Sequence, residues 1–204
     1  MSMLVLDKYV DRQLRAERKA RGIDQHDEMW EGVYVMSPIA DDSHQTIVSK
    51  LTFAFEMVIG EMGLGKVRPG INVSDRVEQW KKNFRTPDVV VILNGSTAQN
   101  HDTFWTGAID FVVEVVSRND RSRRKLPFYS KLGVREVLFV ERNPWQLKLY
   151  RHDGSKLQPV GDCLGIGAAP VVSEVLPFSF GIVDSPERPK IELVHKADGR
   201  TWRA

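Results

Sequence analysis

One cysteine, Cys163, stands in a chain of 204 residues. A lone thiol excludes an intramolecular disulfide and any zinc site built from several cysteines, and it suits a reducing compartment. No apolar run approaches the roughly 20 residues of a membrane span, and the opening Met-Ser-Met-Leu-Val-Leu-Asp-Lys is too short an apolar stretch for a signal peptide. The expectation is a cytoplasmic protein with no membrane partner. An excess of one sign of charge is nearly absent too: 29 Lys and Arg against 27 Asp and Glu leave a net +2. So small a balance says nothing for or against a polyanionic partner, and local clusters must carry that question. The five histidines are scattered without metal-ligand spacing, and there is no nucleophile elbow, internal repeat or low-complexity tract. Gly60-Glu-Met-Gly-Leu-Gly65-Lys66 has the spacing of a phosphate-binding P-loop. Val67 replaces the hydroxyl residue that such a loop needs, and the segment ends a helix instead of opening one, so no nucleotide role is assigned.

What is present is the balance of a folded protein, with 42% apolar and 27% charged residues. The length suits one domain with terminal decorations: an N-terminal helix over 1–27, a core domain over 28–183 and a loosely held polar tail over 184–204. Residues 5 to 21 are rich in helix formers, with Leu6, Tyr9, Val10 and Leu14 near one stripe. Met29 to Met36 alternates as a strand and stops at Ser37-Pro38. The Asp41-Asp42-Ser43 cluster caps a helix from about His44 to Met62, whose apolar positions recur at three and four. Two β-branched runs, Asp88 to Leu93 and Ile109 to Val116, read as central strands covered on both faces. Between them lies a loop whose Phe104-Trp105 pair could fold back as a lid. Ser117 to Leu132 is a helix candidate with Gly133 as its stop, and Glu136 to Glu141 is another strand. Strands alternating with helices place the chain in the α/β class.

Chemistry concentrates in Thr86-Pro87-Asp88-Val-Val-Val-Ile and Phe111-Val-Val-Glu114-Val-Val-Ser117. Each sets a carboxylate at or within an apolar strand, where it must be protonated, paired with a cation or bound to a metal. Two converging carboxylates would suit magnesium, which takes hard oxygen ligands and completes its shell with water and phosphate. Lys125 stands four residues before Tyr129, so the two share a helix face. Residues 117 to 135 hold Arg118, Arg121, Arg123, Arg124, Lys125, Lys131 and Arg135 against Asp120, a cluster able to hold phosphates. On the residues alone, structural roles remain open. Asp88 could be a turn residue, Glu114 half of an ion pair, Lys125 and the arginines a solvated face, Tyr129 core packing and His44 merely the start of a helix.

The order Pro87-Asp88, Glu114-Val-Val-Ser117, Lys125-Leu-Pro-Phe-Tyr129 and Gly133-Val-Arg-Glu136 resembles the bacterial Uma-type putative restriction endonuclease family, within the PD-(D/E)xK nuclease superfamily. The likeness extends upstream to Glu31-Gly32, Met36-Ser37-Pro38 and His44-Gln45 and covers roughly residues 28 to 180. It implies a mixed sheet flanked by helices with a restriction-endonuclease-like core, and a metal-dependent endonuclease acting on DNA. Asp88 and Glu114 would be the ligands of Mg2+ or Mn2+, with the Val115 carbonyl assisting, and His44, Glu31 and Tyr129 would be auxiliary. Arg118, Arg121, Arg123 and Arg124 would meet the nucleic acid, and a homodimer would suit the cutting of two strands. The superfamily's lysine usually stands two residues after the glutamate, where this chain has Val116, so Lys125 takes that place from the following helix. Pro127 departs from the pattern, since a proline inside a helix costs about 3 kcal/mol, and it implies that the regular helix starts near Arg123 or Arg124. Val33 stands where relatives carry an acid. These departures keep a second reading in play, a nuclease fold retained as a binding module without turnover.

Overall fold

The computed structural model describes residues 3–5, 7–117 and 121–204. A short strand β1 (Met3–Val5) leads into helix α1 (Lys8–Ala20), capped by the Asp7 carboxylate, which accepts from the N–H groups of Tyr9 and Val10. Leu6, assigned to the helical stripe, lies outside the described residues. The stretch from Met29 to Met36, expected as one strand, is a hairpin of β2 (Glu28–Trp30) and β3 (Val33–Met36). Its two turn residues, Glu31 and Gly32, both sit at positive φ (48° and 83°). That pair of left-handed residues gives a turn whose twist matches the strands, and glycine supplies one of them without strain.

Helix α2 (Asp42–Phe55) starts from Asp41, whose side chain accepts from the His44 N–H, and runs on as a π-helical turn over Glu56–Gly60. The helix expected as far as Met62 therefore ends sooner and changes pitch. There follow β4 (Gly65–Pro69), β5 (Val73–Ser74), β6 (Phe84–Arg85) and β7 (Val89–Leu93). Next come β8 (Gln99–Asn100), β9 (Trp105–Thr106) and β10 (Phe111–Val116). The supposed lid is sheet and core instead: Trp105 pairs with Val73, and the Phe104 ring stacks on Trp80 at 4.4 Å and on His101 at 4.7 Å. Burial of both rings explains why this aromatic pair is held down.

Beyond β10 a 3-10 turn over Ser122–Lys125 feeds helix α3 (Leu126–Leu132), and Gly133 at φ 79° closes it. The α-helix thus begins later than Arg123 or Arg124. Pro127 falls in its first turn, where the missing N–H has no helical partner to lose. Strands β11 (Glu136–Arg142), β12 (Trp145–His152), β13 (Leu157–Cys163), β14 (Val171–Val172), β15 (Phe178–Val183), β16 (Lys190–His195) and β17 (Thr201–Arg203) complete the chain. Residues 184–204, read from the sequence as a loosely held tail, instead supply two strands, the first of which carries the fully buried Ile191 and Leu193. Alternation along β16 puts these apolar residues on one face, which the tail's polar average concealed.

The architecture is mixed α and β. A central sheet runs β13-β12-β11-β10-β7-β4, beside a sheet β1-β3-β2-β6-β5-β9-β8 and a terminal sheet β14-β15-β16-β17. In the central sheet β10 and β11 are parallel and β7 and β4 antiparallel, so the expected mixed sheet is present. The parallel pair requires a crossover, which α3 provides. On one face Val89, Val91, Phe111, Val113 and Val115 pack with Leu51 and Phe55 of α2, under Phe178 and Phe180 of the terminal sheet. On the other, Val90, Ile92, Val112, Val137 and Phe139 pack with Phe128 and Tyr129 of α3. Among the described residues no helix is long and apolar enough to cross a membrane.

Candidate active site

Strands repeat their facing every two residues, so Glu114 shares the α3 face with Val112, and Asp88, just before β7, shares it with Val90. The last pair of the β7/β10 ladder is Val89 with Val113. One position farther, Asp88 and Glu114 stand opposite each other on neighbouring strands. Asp88 Oδ2 accepts the Val115 N–H at 2.6 Å, and its Oδ1 meets His44 Nε2 at 2.9 Å. The first turn of α2 therefore brings His44 onto Asp88, while His44 Nδ1 is buried with no partner among the described residues.

Glu114 is 2% exposed and Lys125 8%. Lys125 Nζ donates to Glu114 at 2.9 and 3.0 Å, and the Tyr129 hydroxyl donates to Glu114 Oε1 at 2.5 Å. The four-residue spacing on the segment after β10 thus delivers both donors to one carboxylate. The relocated lysine reaches the face that a lysine at position 116 would share with Glu114.

A carboxylate that sequence reasoning missed completes the group. Glu28 on β2 is 2% exposed, its Oε1 lies 2.8 Å from Lys125 Nζ and accepts the Thr86 N–H at 2.9 Å, and its Oε2 accepts the Trp30 indole N–H at 2.6 Å. Its signal was available: an acid beside Met29 and Trp30 in an apolar strand, the same criterion that singled out Glu114. Glu31, chosen as the auxiliary acid, is not brought to this place. It occupies the hairpin turn, its side chain is 65% exposed, and it pairs with Arg76 at 3.1 Å and Asn83 at 2.8 Å. The positive-φ turn turns Glu31 out, while Glu28 falls on the strand that faces the centre.

Charge around Glu114 is unbalanced. Burial pushes its carboxyl up; the Lys125 ammonium opposes that, but Asp88 and Glu28 add negative charge, and the outcome is a pKa of about 8. Burial works against the Lys125 charge as well, yet Glu114 and Glu28 together outweigh it and hold the ammonium above its ordinary range. The two shifts pull opposite ways because one ammonium faces three carboxylates: it stays charged, and Glu114 takes up the excess. Burial, then the Glu114 charge, raises the Tyr129 hydroxyl well above its usual range, so it remains a donor.

Glu28, His44, Asp88, Glu114 and Lys125 line a cleft of about 240 Å3 with Trp30, Ser37, Thr86 and Val115. Among the described residues no three His, Cys, Asp or Glu side chains converge as a ready-made metal cage. The donor set fits a hard dication in another way, with two opposed carboxylates, negative charge in excess of the local cations and room for water or phosphate oxygens. Arg121 lines the same cleft, whereas Arg123, half-exposed, pairs with Glu141, and Arg124 is exposed. Arg118 lies outside the described residues.

Residues 13–183 match the family model Uma2, described as a putative restriction endonuclease. The chain is similar in fold to the crystal structure of a putative nuclease belonging to DUF820 from Anabaena variabilis ATCC 29413. The likeness covers 73% of this chain and 82% of that one at 14% identity, with a TM-score of 0.60. No functionally curated protein matches the sequence.

Proposed function

The chain belongs to the Uma2 restriction endonuclease family, and from that premise we propose that it hydrolyses phosphodiester bonds of DNA with a divalent ion, Mg2+ or Mn2+, held by Asp88 and Glu114. The observation that supports this reading best is the meeting of Asp88, Glu114 and Lys125 on the wall of one cleft. When bound, the ion would lower the pKa of a water ligand and offset charge on the phosphate. The Val115 carbonyl would add an oxygen beside the two carboxylates. Lys125, kept charged, is an electrostatic and orienting group, not a base: its N–H groups would align the attacking water or meet the oxygens of the pentavalent phosphate. His44 keeps Asp88 in its rotamer, and Tyr129 does the same for Glu114. Arg121 at the cleft, with Arg123 and Arg124 outside it, would steer the phosphate backbone. A homodimer would present two clefts to the two strands.

The assay is cleavage of supercoiled, linear and single-stranded DNA with added Mg2+ or Mn2+, with Asp88→Ala, Glu114→Ala and Lys125→Ala run beside the parent. Loss of cutting in all three, with the melting transition intact, supports the reading; parental cutting by Asp88→Ala or Glu114→Ala sinks it. One observation favours a second reading, a nuclease fold that binds without turnover. Both Glu114 oxygens are already engaged, by Lys125 and Tyr129, and an ion must displace part of that network. Calorimetric titration with Mn2+ separates the two, because a binding module need show no ion site dependent on both carboxylates.

A further inference from the structure

We propose that Glu28 is the positioning residue for Lys125, holding the ammonium at the cleft through a contact that persists when an ion takes over the Glu114 carboxylate. The inference rests on the reading of Asp88, Glu114 and Lys125 as the reacting set. A lysine borne on the central strand would be placed by the sheet. Lys125 instead ends a 3-10 turn, on a flexible four-carbon stem, and needs an external anchor. An ion drawing on the Glu114 oxygens would compete with the 2.9 and 3.0 Å bonds to Nζ. The 2.8 Å contact to Glu28 Oε1 is then what keeps the ammonium in place.

Glu28 is itself immobilised. The Thr86 N–H that binds Oε1 comes two residues before Asp88, so the chain that presents one ligand also fixes the lysine's anchor. The Trp30 indole holds Oε2, and its ring is covered by the Arg85 guanidinium at 4.6 Å, which also lies 4.2 Å from the Phe128 ring of α3. Strand β2, the Asp88 segment and α3 thereby fix one geometry. The contacts of Glu28 are with donors, the Lys125 ammonium, the Thr86 N–H and the Trp30 indole, which suits an anchor for the lysine.

The test uses the full chain and the variants Glu28→Gln and Trp30→Phe, the latter removing the indole donor to Oε2 and narrowing the ring beneath Arg85. Folding is checked by thermal melting. Pulse acetylation of the ion-free protein, with mass spectrometry of the peptide containing Lys125, reads the freedom of the amine. Glu28→Gln should label about tenfold faster than the parent, and Trp30→Phe should fall between them. Calorimetry with Mn2+ should show that both variants still bind the ion, whereas Asp88→Ala does not. With Mg2+ and DNA, kcat of Glu28→Gln should fall about 10- to 100-fold, and adding Glu28→Gln to Lys125→Ala should cost nothing more. Unchanged labelling in the folded variants overturns the proposal. So does a loss of Mn2+ binding in Glu28→Gln as complete as in Asp88→Ala, which would make Glu28 an ion ligand. A parent protein that cuts no DNA, while Glu28→Gln still frees the amine, sinks the nuclease reading and leaves the anchoring of Lys125 standing.

Discussion

Glu114 meets one ammonium and two other carboxylates in a buried wall, and that arithmetic governs how the ion-free protein responds to pH. Its folded pKa is raised from 4.5 to about 8, so between those values the folded chain keeps a proton that the unfolded chain releases. Stability from this group therefore falls as pH rises through that window. Lys125 is shifted upward and stays charged in both states over the same range, so it does not oppose the trend. In chelator, the melting temperature of the parent should drop between about pH 5 and 8 more than that of Glu114→Gln. Parallel curves would refute the assignment. Tyr129→Phe, which deletes the buried hydroxyl donor to Glu114, should lower stability by about 1–2 kcal/mol in urea unfolding.

Among the elements, the terminal strands close one side of the core. Phe55 of α2 lies 5.5 Å from the Phe178 ring and 6.2 Å from Phe180, so the end of the chain covers the helix that carries His44. Ile191→Ala should cost about 2–5 kcal/mol, read from the urea midpoint, since Ile191 is fully buried. A change under about 0.5 kcal/mol would mean that these strands are dispensable. The same region is tied in by polarity: Glu136, fully buried, accepts from Arg151 Nε at 2.7 Å, from the Glu174 N–H at 3.0 Å and from the Ser173 hydroxyl. Helix α1 is docked in a similar way by Arg18, which binds Asp27 at 2.6 Å and the Ser37 carbonyl at 2.9 Å, on the strap leading to the cleft.

The whole molecule carries a net charge of only +2, so any hold on DNA must be local. With Ca2+ in place of Mg2+ to hold the complex uncut, affinity for a short duplex should fall steeply with salt. Arg121→Ala combined with Arg124→Ala should reduce the log–log slope by about two and weaken binding to unrelated sequences alike. An unaltered slope would remove these arginines from the interface.

Much of this was legible from the chain. Asp88 and Glu114 stand out because an acid in an apolar strand must find a partner, and a period of two tells which face each occupies. Helix α2, the two central strands and the stop at Gly133 follow from spacing and turn chemistry, which are local properties. Other features depend on residues distant in the chain. Glu28 matters only because the β2–β3 hairpin folds against Thr86 and the segment after β10, and Glu31 drops out only because the turn sends it outward. The polar average of residues 184–204 hid an alternating strand whose apolar face has meaning once Phe55 and Phe178 lie beneath it. The choice between partners for a buried charge is made by three-dimensional proximity. Local pattern states that Glu114 needs a cation; packing of α3 and β2 decides that the cation is Lys125, shared with Glu28.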